Sequence, residues 1–194
     1  MSSRPRGRLV QSFVVNDYEL GMKMVEEEEL LLFIDAYVIA TGQRLKIAGA
    51  GERPDFFCRR PNGRLVGVEL TDIRRHPGAA VDDEIFRRRE SADEYDTVER
   101  ICSSIEKKER KRTTGNWGLR QNTMLVLQVK DCPLDDLASF LAGLGPGDFK
   151  NHGFKEVWVA DHSEFDVYGN IELFGLYPRR RWGHFEVARG KPYG

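Results

Sequence analysis

The feature that most constrains this chain is Asn62-Gly63, a turn dipeptide set between the runs "RPDFFC" and "LVGVEL". Both residues tolerate positive φ and the flanking segments are rich in Phe, Val and Leu, so the stretch is expected to form a β-hairpin. Its two strands must lie adjacent and antiparallel. Asp55 and Glu69 then stand on neighbouring strands, where both carboxylates can converge on one divalent metal.

The surrounding pattern extends the hairpin into a layered domain. From Asp17 to Ala40, Leu30, Phe33, Ile34, Tyr37 and Val38 recur at three- and four-residue steps, predicting a helix with one apolar face that stops at Thr41-Gly42. That face, extended back one turn, reaches Glu26 and Glu27. A short strand over "RLKIAG" precedes the hairpin, whose second strand is expected to run to Ile73. Residues from about Ala80 to Arg112 read as a long charged helical segment. Its stripe of Val98, Ile101, Cys102 and Ile105 continues one step to Lys108, so an inward-facing lysine in need of a partner is predicted there.

"NTMLVLQVK" is the clearest buried strand, and Asp131 and Pro133 suit the cap and first position of a helix running to about Leu144. The strand "FKEVWVAD" follows, then one or two short strands around "YPRRRW". A hairpin is antiparallel while helical crossovers favour parallel neighbours. The expected fold is therefore α/β, a mixed central sheet with an internal hairpin and helices on both faces.

A chain of 194 residues suits a single domain, 1–194, with the polar, Arg-rich residues 1–8 as a loose arm. No apolar run approaches the roughly 20 residues of a membrane-spanning helix, so a cytoplasmic protein without membrane partners is expected. Cys58, Cys102 and Cys132 are odd in number and lack CxxC spacing, so neither a disulfide framework nor a zinc site is suggested. The net charge of -1 argues against a uniformly basic nucleic-acid binder. Basic residues nevertheless cluster in "RRPNGR", "KKERKRT" and "YPRRRW", apart from the acids of "VEEEE" and "VDDE". Arg179, Arg180 and Arg181 are the leading phosphate contacts, since arginines on an exposed turn grip backbone oxygens without reading sequence.

The stretch "PDFFCRRPNGRLVGVELTD" resembles the core motif of the PD-(D/E)xK, or restriction-endonuclease-like, nuclease superfamily. Pro54, Asp55 and Glu69 match in type and spacing, and the resemblance extends over the helix before the motif, the helix after it and the next buried strand. It implies a restriction-endonuclease-like fold and a Mg2+- or Mn2+-dependent endonuclease that hydrolyses phosphodiester bonds of nucleic acid, DNA foremost, with a homodimer as a common assembly. By the resemblance, Asp55 and Glu69 are catalytic metal ligands and Leu70 offers its carbonyl. An acid of the first helix is a further ligand, with Glu27 carried forward, Glu26 beside it and Glu29 if the helix phase slips by one.

Thr71 stands where the family usually has lysine, and threonine brings no positive charge. Some members carry that lysine on the following helix, which makes Lys108 the substitute. The alternative is a catalytically inactive nuclease-fold module that binds nucleic acid or protein.

Overall fold

The computed structural model describes residues 17–73, 93–145, 147–164, 169–178 and 184–185. The expected N-terminal arm, the segment 80–92 and the Arg179–Arg181 turn lie outside the described residues. The elements are α1 (Asp17–Thr41), β1 (Lys46–Ala50), β2 (Phe56–Arg59), β3 (Leu65–Ile73), α2 (Glu94–Thr114), β4 (Thr123–Val129), α3 (Leu134–Gly143), β5 (Glu156–Asp161), β6 (Leu173–Tyr177) and the two-residue β7 (His184–Phe185). No helix among the described residues is long and apolar enough to cross a membrane.

The strands form one mixed sheet in chain order, β1 to β7. Both β3–β4 and β4–β5 are parallel, and the remaining neighbours are antiparallel. The two parallel pairs are bridged by α2 and α3. Right-handed crossovers stepping in the same direction put their helices on the same face. Accordingly, Ile101 and Ile105 of α2 and Leu137 and Leu141 of α3 pack with Leu125, Leu127 and Val159. The opposite face is covered by α1, whose Leu30, Phe33 and Tyr37 pack with Val66, Val68, Met124 and Trp158. With both faces covered, β4 and β5 are buried at every position, as expected for central parallel strands.

The α/β class, the internal hairpin and the helices on both faces agree with expectation. The turn differs in detail. Gly63 has φ +80, whereas Leu119 is the one non-glycine with positive φ among the described residues, so Asn62 does not adopt it. Pro61 fixes its own φ near −65°. The chain therefore turns over Pro61 and Asn62 and uses Gly63 alone to return, with the Gly63 N–H bonded to the Arg60 carbonyl at 2.9 Å. Asn62 contributes through its side chain, whose Oδ1 accepts from the Arg64 N–H at 3.1 Å.

The cap of α3 also differs. Pro133 occupies the cap position without a side-chain bond, and the Leu134 N–H instead donates to Asp161 Oδ2 at 2.7 Å. Asp161 is thus a long-range cap from the end of β5, in the place expected for Asp131. Its other oxygen accepts from the N–H and hydroxyl of Ser163 at 2.7 and 2.6 Å.

The three cysteines are free, and burial pushes their thiols up to about 11 for Cys58 and Cys102 and about 12 for Cys132. They are protonated packing residues.

Candidate active site

The site begins with unequal strand lengths. Register pairs Leu65–Val68 of β3 with β2, whereas β3 continues to Ile73 against β4 alone. Among the described residues no strand lies beside the outer edge of β3 from Glu69 onward, and a side chain takes its place. The Leu70 N–H donates to Asp55 Oδ2 at 2.8 Å. Within a strand a residue's N–H and C=O point to the same side. The Leu70 carbonyl therefore also faces this open edge, where the Thr71 hydroxyl donates to it at 2.8 Å.

Asp55 is held there by the residue before it. Pro54 is buried against Gly67, where an added Cβ would come within 2.5 Å of the proline Cγ and 2.9 Å of Thr123 Oγ1. Only glycine leaves room for that contact, which explains the glycine inside "LVGVEL". The register, Phe56 against Val68, carried one step further sets Asp55 opposite Glu69.

Glu69 is 4% exposed and projects toward α2. Lys108 Nζ meets its Oε1 at 2.5 Å, across 39 residues of chain. The helix arrives in that phase because Val98, Ile101 and Ile105 are buried against the sheet and Lys108 follows at the edge of their stripe. Beyond it, Glu109 and Arg112 continue the buried stripe as an ion pair at 2.5 Å. The Arg112 guanidinium lies 5.5 Å from the centre of the Phe154 ring. Sequence reasoning missed this pair, although both residues fall on the i+4 and i+7 positions from Ile105.

Electrostatically the site is strained toward neutrality. Burial, then the neighbouring Glu69 charge, raises the Asp55 carboxyl from 3.8 to about 6. The Glu69 carboxyl also lies above its usual range, because burial outweighs the pull of Lys108, the Asp55 main chain and Lys111. Its Oε2 is buried without a hydrogen-bond partner. Two close carboxylates, one carrying an unpartnered oxygen, and a main-chain carbonyl form an all-oxygen donor set. That set fits a hard cation such as Mg2+, which commonly takes one or two carboxylates and keeps several waters. No group of three or more His, Cys, Asp or Glu side chains is gathered to hold a metal among the described residues.

On α1 the phase favours Glu26 over Glu27. Glu27 is exposed, whereas Glu26 and Glu29 are half-buried, in line with Leu30, Phe33 and Tyr37. Burial, then Asp55, raises the Glu26 carboxyl above its usual range. Glu29 is engaged elsewhere. Lys130 Nζ bonds its Oε1 and also reaches Asp72 Oδ1 at 3.1 Å, tying α1 to the ends of β3 and β4. Of the residues expected at the site, Asp55, Glu69, Leu70 and Lys108 come together, and Glu27 is exposed to solvent.

Among the aromatic residues beside basic segments, Trp117 is buried in the α2 face of the core and Tyr177 is exposed. Comparison of the chain with protein-family models, with curated proteins and with solved structures gives no match.

Proposed function

We propose that this protein is a Mg2+- or Mn2+-dependent phosphodiesterase of the PD-(D/E)xK type that cleaves nucleic acid, DNA foremost. The observation that carries the reading is the ion pair of Lys108 with Glu69 beside Asp55. It supplies from α2 the positive charge that Thr71 does not bring to the strand.

Asp55, Glu69 and the Leu70 carbonyl would hold the cation, with Glu26 at the rim. When bound, it would lower the pKa of a coordinated water and offset charge developing on the phosphate. The remaining work belongs to the chain. The Leu70 N–H fixes the Asp55 carboxylate, and the apolar stripe of α2 fixes Lys108. The ammonium is then placed to stabilise negative charge on the phosphoryl oxygens as water adds and the P–O bond to the leaving oxygen breaks.

The test is cleavage of labelled single- and double-stranded DNA with Mg2+, with Mn2+ and with chelator. Parent protein is expected to cut only with metal, and Asp55→Asn and Glu69→Gln proteins are expected to lose cleavage. Equal rates in parent and variants would overturn the assignment. The second reading, a binding module without catalysis, is favoured by the lysine already seated on Glu69 Oε1, and it predicts binding with no cleavage under any metal.

A further inference from the structure

The two helices beside the open edge of β3 carry opposite charge. On α2, Lys111 follows Lys108 by three residues and Lys107 by four, so both stand on the turn of the helix surface that rises from the site to solvent. Both are exposed. Lys111 is near enough for its charge to act on Glu69. At about 100° per residue, Glu99 and Glu106 fall opposite Lys108 and about 80–100° round the helix from Lys107. Neither Lys107 nor Lys111 has an ion-pair partner among the described residues. Arg53, two residues before Asp55, is also exposed, and its carbonyl is fixed by the Gly118 N–H at 2.9 Å.

The α1 side is the reverse. Glu26 is coupled to Asp55, Glu29 and Asp72 with Lys23 acting against them, the next two residues, Glu27 and Glu28, are exposed, and Lys130 is occupied by Glu29 and Asp72. One wall thus attracts a phosphate backbone and the other repels one.

Resting on the reading of Asp55 and Glu69 as a phosphodiester-cleaving site, we propose that its substrate is a single nucleic-acid strand. That strand is tracked along α2 by Lys107 and Lys111 with Arg53, and the acidic wall of α1 excludes a second backbone. A duplex presents two phosphate rows on either side of any scissile bond, and one of them would pass the acidic turn of α1 that begins at Glu26. A lone strand bends to follow the basic side alone.

The experiment is fluorescence anisotropy with the full chain in chelator, using a labelled oligonucleotide as a single strand and as its duplex, over a salt series. The parent should bind the single strand more tightly. In the Lys107→Met/Lys111→Met protein, losing two phosphate contacts should flatten the log affinity against log salt slope by about 1.4, at about 0.7 per contact. Glu27→Lys/Glu28→Lys should bring duplex affinity toward that of the single strand. Circular dichroism reads whether these surface variants fold.

Duplex binding as tight as single-strand binding, an unchanged slope, no gain for duplex in the α1 variant or no binding to either probe would each overturn the proposal. The hydrolytic reading is judged separately. Metal-dependent cleavage that needs Asp55, together with an unchanged slope, removes the track and leaves the enzyme. A normal slope change in a protein that never cleaves removes the enzyme and leaves the track.

Discussion

Glu156 and Glu69 are both about as buried as a carboxylate can be, at 5% and 4% exposed, yet the fold treats them in opposite ways. Glu156 Oε2 accepts from the Tyr37 hydroxyl at 3.0 Å and from Trp158 Nε1 at 2.9 Å, and its Oε1 pairs with Arg60 at 2.9 Å. Arg60 itself donates to the Tyr37 oxygen and to Gln43. Glu69 has Lys108, itself partly exposed, and the Asp55 main chain, with an oxygen left over. A buried acid that only stabilises a fold is surrounded by donors, since each missing bond costs about 1–3 kcal/mol. Unused acceptor capacity beside a second carboxylate marks a place prepared for something else.

The contrast breaks most visibly in stability. Glu156→Ala leaves Arg60, Tyr37 and Trp158 with unmet polar groups in the interior, and is expected to cost about 3–5 kcal/mol in urea unfolding, the usual result of removing one partner of a buried pair. Glu69→Ala is expected to cost far less, because Lys108 sits at the rim and can turn its ammonium to water. Comparable losses in the two variants would erase the distinction.

Activity should reverse the order. Lys108→Met is expected to lower metal-dependent cleavage by about 10²–10³-fold, the size seen when one donor to a transition-state charge is lost. Thr71 lies two residues beyond Glu69 and so on the same face of the sheet. Adding Thr71→Lys to the Lys108→Met protein should therefore restore part of the rate, by returning the lysine to the position it has in the motif. A double variant as slow as the single one would show that Lys108 acts through its own geometry and not as a portable charge.

The pH dependence is a smaller effect of the same imbalance. Asp55 has a folded-state pKa of about 6 against 3.8 when unfolded, so between these values the folded protein binds more protons than the unfolded chain. Its contribution to stability is thus most favourable below about pH 4 and is lost as pH rises through 6. Asp55→Asn removes that dependence, so the variant should gain on the parent in thermal unfolding at pH 8, with the gain closing toward pH 4. Mg2+ competes with the same protons and should raise the parent's midpoint at pH 8 more than at pH 5. A metal effect that is flat with pH would dissociate the cation from Asp55.

What the sequence disclosed depended on how local its signals were. The hairpin acids and the α2 stripe are set by turn chemistry and helical spacing over a few residues, and both placed their side chains as expected. Lys108 was legible because a lysine continuing an apolar stripe is anomalous. The Glu156 network was not, because Tyr37, Arg60 and Glu156 come from a helix, a turn and a strand that only the tertiary fold unites. The cap on α3 was hidden for the same reason, its aspartate lying 27 residues away. The phase of the α1 acids was left open because Glu26 lies four residues before Leu30 and Glu27 three, and helical spacing admits both.

That last ambiguity gives the smallest effect and the finest discrimination. Glu26 and Glu27 are neighbours of identical chemistry on one helix, and they differ in that only Glu26 is half-buried and coupled to Asp55. Neutralising Glu26 removes a rim charge that favours a cation, while Glu27→Gln removes one that water already screens. Titration calorimetry with Mn2+ should show Glu26→Gln weakening binding severalfold, and Glu27→Gln matching the parent at physiological ionic strength. Equal losses in both would mean that the acidic turn acts as a diffuse field, in which case low salt should enlarge the two effects together. A loss confined to Glu27 would place the helix in the other phase and separate Glu26 from the site.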